Sequence, residues 1–208
     1  RDQGKSMSDL FHDEPPQTGA LPKIAPLADK LRPAELSEII GQEHLTGPEG
    51  AIGRMVAAGK LSSMILWGPP GTGKTSIARL LADAVNMHYK PISAVFSGVA
   101  DLKKAFAEAE TMARTGKQTL LFVDEIHRFN RAQQDGFLPF VESGLVTLVG
   151  ATTENPSFEL NAALLSRTQV MVLHRLDEAA LATLLARAEA IMERPLPVTA
   201  DAKSALIS

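Results

Sequence analysis

The stretch SMILWGPPGTGKTS, residues 63–76, decides the fold of this chain. It opens with a short apolar run followed by turn-forming residues, a pattern that predicts a buried strand. The next letters satisfy G-x-x-x-x-G-K-[ST], and a segment with helical apolar periodicity follows them. A strand, a glycine-rich loop and a helix in this order predict a phosphate-binding loop.

Each position of this loop has a physical role. Pro69 and Pro70 carry no N–H group, so they stiffen the loop and cannot donate to phosphate. The donors must be backbone N–H groups from Gly71 to Thr75, where glycines allow the ligand to approach closely. Lys74 is expected to reach the outer phosphates, and the Thr75 hydroxyl to ligate Mg²⁺. The predicted nucleotide-binding set is Gly68, Pro69, Pro70, Gly71, Thr72, Gly73, Lys74, Thr75 and Ser76.

Two carboxylates follow a second apolar run, TLLFV at residues 119–123. A nucleotide-bound Mg²⁺ needs a nearby carboxylate at the carboxyl end of a strand, and Asp124 has that position. Hydrolysis also needs a group that orients and deprotonates water, and Glu125 is the adjacent candidate. No further metal ligands lie near His127 in sequence, so we interpret it as a packing or hydrogen-bonding residue.

Apolar strands alternate with amphipathic helices along the chain, which predicts an α/β fold with a parallel sheet covered on both faces. The further predicted strands are YKPISA (89–94), LVTLVGAT (145–152) and QVMVLH (169–174). One predicted helix begins at the capping residue Asn130 and continues to about Ser143, with Pro139 able to bend or shorten it.

We divide the chain into three parts. Residues 1–26 are polar and proline-containing, and we interpret them as a flexible tail. Residues 27–176 form the predicted P-loop NTPase core. Residues 177–208 open with a long helix from Asp177, and we interpret them as the truncated front of a small helical lid domain.

Composition excludes several functional classes. The chain has 208 residues, no cysteine and a formal net charge of −3. Disulfides and thiol catalysis are therefore excluded, and no global charge attracts DNA or an anionic membrane. No apolar run approaches the roughly 18 residues that span a bilayer, and no secretory signal is visible. We expect a soluble cytoplasmic protein that does not contact membranes.

Other phosphate-loop proteins fit the sequence less well. A GTPase would need an N-K-x-D tetrapeptide, which is absent. A helicase with a D-E-x-H motif would need a second motor domain downstream. A small-molecule kinase would need an acceptor pocket and usually an arginine-rich lid, and it does not require the Asp124–Glu125 pair.

The combined motifs resemble an AAA+ ATPase: GPPGTGKT, LLFVDE, VGATTENP and LLSR occur in this order. The stretch LRPAELSEIIGQEHL, residues 31–45, is similar to the segment that precedes the core in the clamp-loader and RuvB-like branch. A closer resemblance is to the replication-associated recombination protein A (RarA/MgsA) family, and it is carried by SMILWGPPGTGKT, ISAVFSGV, LFVDEIHRFN, QQDGFLPFVESG and GATTENPSFELNAALLSR. The resemblance covers most of residues 27–176.

This resemblance implies further site residues. Thr153 would be the sensor of the γ-phosphate or the attacking water, with Thr152 as its neighbour. Arg167 would be the arginine finger that reaches the nucleotide of a neighbouring subunit. Ile39, Ile40, Gly41 and Gln42 would line the adenine side. The family's second sensor arginine would lie beyond residue 208.

The resemblance also implies a DNA-dependent ATPase that uses ATP and Mg²⁺ in replication-fork maintenance and recombination. Implied partners are single-stranded, gapped or forked DNA, single-stranded-DNA-binding protein and replisome components. The resemblance further implies a homo-oligomer, which is a tetramer in the full-length protein, and a location in the cytoplasm near the nucleoid. The rivals are a clamp-loader subunit, a Holliday-junction branch-migration motor and an ATP-switched replisome scaffold with little turnover. Intact Glu125, Thr153 and Arg167 argue against the scaffold. Lys103, Lys104, Arg128 and Arg131 could form a basic patch, although scattered basic residues usually make a solvated surface.

Overall fold

The computed structural model describes residues 30–197, together with residues 199, 202 and 205. The predicted tail at 1–26, residues 27–29 of the predicted core and most of the lid after residue 197 lie outside the described residues. The strands are β1 (Met64–Trp67), β2 (His88–Ser93), β3 (Thr119–Asp124), β4 (Val146–Thr152) and β5 (Gln169–Val172). The helices are α1 (Glu43–Thr46), α2 (Ala51–Ala57), α3 (Lys74–Ala84), α4 (Val99–Arg114), α5 (Arg131–Asp135), α6 (Leu138–Glu142), α7 (Pro156–Glu159), α8 (Ala162–Leu165) and α9 (Glu178–Met192), with 3-10 turns at Leu36–Glu38 and Ile126–Arg128.

The strands form one parallel sheet in the order β2-β3-β4-β1-β5. The central strand β4 pairs with β1 on one side and with β3 on the other. Trp67 of β1 lies beside Thr152, and Val123 of β3 lies beside Gly150. The three strands therefore end at one edge of the sheet, and the loops that follow them meet there. The predicted parallel α/β sheet is confirmed.

Helices cover both faces of the sheet, and successive strand residues point to opposite faces as the strand period of two requires. The cluster beneath α2 and α3 includes Leu66, Ile52, Ile77, Leu81, Phe122 and Val149. The cluster beneath α4 to α8 includes Ile65, Phe106, Leu121, Phe137, Leu148 and Leu164. Each fully buried large side chain contributes about 1.5–3 kcal/mol to folding. Burial on both faces explains why the strands are apolar without alternation.

The helix predicted from Asn130 to Ser143 is two helices, α5 and α6. Asn130 caps α5 as predicted, because its side chain accepts a hydrogen bond of 2.9 Å from the Gln133 N–H. The chain then turns so that Phe137 is completely buried in the core. Pro139 occupies the first turn of α6, where its missing N–H costs no helical hydrogen bond. The proline therefore starts a second helix instead of bending one.

The long helix α9 begins as predicted, with the Asp177 carboxylate accepting a hydrogen bond of 2.8 Å from the Ala180 N–H. Farther along, the Arg187 guanidinium donates to the Glu38 carboxylate at 2.5 Å. This ion pair joins α9 to the 3-10 turn at Leu36–Glu38, and the assignment of α9 to a lid domain stays a prediction. Although α9 is rich in alanine and leucine, no helix in the described part of the chain has the length and apolar character that crossing a bilayer requires.

Gly150 sets how closely the elements around β4 can pack. A Cβ there would lie 2.8 Å from Cδ1 of Ile65 and 2.9 Å from Cδ1 of Ile126. Gly150→Ala should therefore lower the free energy of unfolding by about 1–3 kcal/mol, because an extra carbon forces core side chains from their rotamers.

Gly136→Ala is the matched control. Gly136 has φ of −60°, and its Cβ would contact only backbone atoms, the closest being the Gln133 carbonyl oxygen at 3.1 Å. This change should alter stability by less than about 0.5 kcal/mol. Urea denaturation measures both variants, and a wild-type midpoint for Gly150→Ala would contradict the packing argument.

Candidate nucleotide-binding site

The loop between β1 and α3 presents backbone N–H groups to open space. Gly71 and Gly73 have left-handed backbones, with φ of 78° and 89°, and a Cβ on either would meet no other described part of the chain within 4 Å. Within the described residues, the N–H groups of Gly71, Thr72 and Gly73 donate no hydrogen bond. Unpaired donors beside the N-terminus of an 11-residue helix attract anions. The loop geometry therefore fits the predicted binding of phosphate.

The other residues of the loop hold it in position. The Gly68 N–H donates to the Thr152 carbonyl at 3.2 Å, and a Cβ on Gly68 would lie 2.5 Å from the Leu173 carbonyl oxygen. The Thr72 hydroxyl donates to the Pro69 carbonyl at 2.9 Å. Pro70, like Pro69, has no N–H and cannot donate to phosphate. The contacts of Gly68 and Thr72 instead hold in position the backbone donors that follow the prolines.

Lys74 is buried against the loop that it follows. Its Nζ donates to the carbonyl oxygens of Gly68 and Pro69, each at 2.7 Å, and the residue is 8% exposed. Burial lowers the pKa of the Lys74 ammonium, and the carboxylates of Glu125 and Asp124 partly oppose that shift. Two carbonyls and two carboxylates thus compensate a buried cation. A phosphate group would replace the carbonyls as its partner.

The first turn of α3 contributes hydroxyls. Thr75 is exposed and Ser76 is half-buried. Both line a cavity of about 250 Å³ whose other lining residues are Arg32, Pro33, Arg79 and Leu80. The sequence reasoning missed the two arginines. Arg79 could have been found from helical spacing, because it lies one turn after Thr75 on the same face of α3.

Asp124 and Glu125 lie at the same sheet edge as the loop. Asp124 ends β3, and its Oδ1 accepts a hydrogen bond of 3.1 Å from the Glu125 N–H. Glu125 has φ of 52°, a left-handed conformation that costs a non-glycine residue on the order of 1 kcal/mol. This turn directs the chain away from the strand immediately after the carboxylate pair.

The donor set suits Mg²⁺ bound together with a nucleotide. Asp124 supplies a carboxylate and Thr75 a hydroxyl, and Mg²⁺ prefers one or two such ligands plus phosphate oxygens and water. Among the described residues, no group of three His, Cys, Asp or Glu side chains could hold a metal ion. Asp124 and Thr75 therefore fit an ion whose other ligands are phosphate oxygens and water.

His127 connects the ends of β3 and β4. Its Nδ1 lies 2.9 Å from the Thr152 hydroxyl oxygen and 3.4 Å from a carboxylate oxygen of Glu125. The prediction of a hydrogen-bonding role for His127 is confirmed. The contact of Thr152 with His127 was not predicted, because the sequence does not reveal which side chains at the ends of neighbouring strands face each other.

Thr153 and Arg167 lie at the surface of the chain's own fold. Thr153 is half-buried one residue beyond β4, and its sensor role stays a prediction. The Arg167 guanidinium donates to the Glu142 carboxylate at 2.5 Å and to the Ala163 carbonyl at 2.8 Å. Its side chain is 39% exposed, so it is partly accessible to a neighbouring subunit. The finger role also stays a prediction.

The residues predicted at the adenine side pack against the segment between β5 and α9. Both ends of the buried Gln42 amide bond the backbone of His174, at 2.8 and 3.0 Å. Gly41 has φ of 78°, and a Cβ there would lie 2.6 Å from Cδ2 of Leu176. Ile39 is buried in the core, and Ile40 is half-buried. Contact of these four residues with adenine stays a prediction.

Comparison with known proteins shows the family to which the chain is similar. Residues 64–176 match the family described as "ATPase family associated with various cellular activities (AAA)". The chain is 53% identical over 171 residues to the replication-associated recombination protein A of Coxiella burnetii, covering 82% of this chain and 38% of that protein. It is 46% identical over 187 residues to the ATPase WRNIP1 of Dictyostelium discoideum, covering 88% of this chain and 21% of that protein.

A solved structure shares the fold. The RuvB Holliday junction branch migration motor of Thermotoga maritima matches with a TM-score of 0.61 and 30% identity, over 78% of this chain and 55% of that one. The five-stranded parallel sheet is thus that of an AAA+ P-loop NTPase core. The chain spans well under half of the length of the two matched relatives. It belongs to the AAA family of ATPases and, within it, to the replication-associated recombination protein A group.

Proposed function

We propose that the chain is the ATP-hydrolysing core of a DNA-dependent ATPase that acts in replication-fork maintenance and recombination. The observation that carries the proposal is the meeting of three features at one sheet edge: the open donor loop, Lys74 and the Asp124–Glu125 pair. The name of the matched Coxiella burnetii protein supports the setting in replication and recombination, and the name of the Dictyostelium discoideum protein supports ATPase activity.

The proposed reaction assigns a task to each residue. The N–H groups of residues 71–75 hold the phosphate oxygens, and Lys74 exchanges its two carbonyl partners for the outer phosphates. Thr75 and Asp124 would hold Mg²⁺, which would supply charge neutralisation at those phosphates. Glu125 accepts a proton from water as the water oxygen bonds to the γ-phosphorus. The bond from that phosphorus to the β–γ bridging oxygen breaks, leaving ADP and phosphate.

Arg167 would complete the site across a subunit boundary. In the single chain, it is held by Glu142 on α6. In the proposed homo-oligomer, a tetramer at full length, Arg167 leaves Glu142 and neutralises transition-state charge on the neighbour's nucleotide. Such a finger contributes about 10³–10⁵ in rate. Thr153 then senses the γ-phosphate from within the same subunit.

The proposed partners are single-stranded, gapped or forked DNA, single-stranded-DNA-binding protein and replisome components. The proposed location is the nucleoid in the cytoplasm. The basic residues considered above, Lys103, Lys104, Arg128 and Arg131, are all exposed. A branch-migration motor is the second candidate, because the matched RuvB structure has that activity in its name. The two candidates differ in the DNA structure that should stimulate hydrolysis.

Glu125→Gln should bind ATP as tightly as wild type but lower kcat by about 10²–10⁴-fold, because the amide cannot accept the proton of water. Lys74→Ala is the contrasting variant and should weaken ATP binding by about tenfold or more through lost phosphate contacts. Calorimetry measures binding and phosphate release measures turnover. Normal turnover by Glu125→Gln would remove Glu125 as the base, and unchanged binding by Lys74→Ala would remove the lysine assignment.

Two inactive full-length variants should restore each other if Arg167 acts in trans. In mixed oligomers, Glu125→Gln subunits donate the finger, and Arg167→Ala subunits supply the base. ATPase activity should therefore rise above that of either variant alone. Each variant assembled by itself is the control. Verified mixed oligomers with no gain in activity would contradict the trans assignment.

Forked or gapped DNA should raise the ATPase rate of the full-length protein more than intact duplex does. A four-way junction of equal length and base composition tests the branch-migration alternative. Steady-state phosphate release on each DNA measures the preference. Strongest stimulation by the junction would favour the motor, and equal rates with and without any DNA would contradict DNA dependence.

A further inference from the structure

The contact between His127 and Thr152 lies directly behind the proposed base. The His127 side chain is 9% exposed and Thr152 is completely buried, whereas Glu125 is 31% exposed. His127 belongs to the 3-10 turn that begins immediately after Glu125. The side chains of His127 and Thr152 are therefore shielded from solvent, whereas the Glu125 carboxylate beside them is partly exposed.

The hydrogen bonds around Thr152 decide where the His127 proton lies. The Thr152 oxygen accepts from the Glu154 N–H at 3.0 Å, and its hydroxyl can donate to the Glu154 carbonyl at 3.2 Å. That donation leaves Nδ1 of His127 as the donor to Thr152 at 2.9 Å. The opposite arrangement would leave an unprotonated imidazole nitrogen 3.4 Å from a Glu125 carboxylate oxygen. The carboxylate only accepts hydrogen bonds, so the Nδ1–H tautomer avoids lone-pair repulsion and leaves the Thr152 hydroxyl to donate to the Glu154 carbonyl.

We propose that His127 is the positioning residue for Glu125, with Nδ1–H anchored on Thr152 and the imidazole edge held beside the carboxylate. The proposal rests on the proposed function, because it needs Glu125 to be the base. Thr152 ends β4, which pairs with the strand that leads into the phosphate loop. The contact thus aligns the base with the phosphates through the sheet. A displacement of about 1 Å in such a group can cost 10²-fold in rate.

The length of the side-chain amide gives a sharp test. Asparagine can place its amide nitrogen near the position of Nδ1, whereas glutamine carries it one bond farther. In the full-length protein, His127→Gln should lower kcat about tenfold with ATP affinity and melting temperature near wild type. His127→Asn should keep kcat within about threefold of wild type. Thr152→Val, which removes the anchor and leaves His127 in place, should also lower kcat.

The Glu125→Gln background separates this inference from the proposed function. There, adding His127→Gln should cause no further loss of the residual single-turnover rate, since the base that it positions is gone. Normal turnover by Glu125→Gln alone would overturn the proposed function. Three results would overturn the positioning role. One is a further tenfold loss of rate in the double variant, and another is wild-type kcat in both His127→Gln and Thr152→Val. The third is an equal loss of kcat in His127→Asn and His127→Gln with lowered melting temperatures.

Discussion

The pairing of β4 with β1 and β3 is the constraint on which the site depends. Parallel strands in register end at one edge, so the loop after Trp67, the carboxylates after Val123 and the hydroxyl of Thr152 are placed together by backbone hydrogen bonds. Gly150 permits this arrangement, because Ile65 and Ile126 occupy the space beside it. The same packing fixes Ile126, the residue that follows Glu125. The same contacts around β4 therefore determine both the packing of the core and the geometry of the site.

In the structure, two cations of the proposed site have partners within the chain. Lys74 donates to two carbonyls of the loop, and Arg167 donates to Glu142. When nucleotide binds, these cations would exchange their partners within the chain for phosphate oxygens. This exchange has a physical advantage, because a buried or half-buried charge without a partner is costly. It also means that ATP affinity reports the difference between two sets of contacts.

Much of this arrangement could be predicted from the sequence. Apolar runs gave the strands, and the glycine pattern after SMILW gave the loop, since both follow from local rules of backbone geometry. The strand order, the division of the helix at Phe137 and the contact of His127 with Thr152 could not be predicted. Each depends on which distant segments pack together, and local periodicity carries no such information. The roles of Thr153 and Arg167 came from family resemblance alone, because they require a nucleotide and a neighbouring subunit.

The most direct measurement of the central claim is a crystal structure of the Glu125→Gln protein with ATP and Mg²⁺. Phosphate oxygens should lie within about 2.7–3.2 Å of the N–H groups of residues 71–75, with the ion between Thr75 and Asp124. Nζ of Lys74 should have left the carbonyls of Gly68 and Pro69 for the outer phosphates. A nucleotide bound elsewhere, with Lys74 still on both carbonyls, would contradict the account.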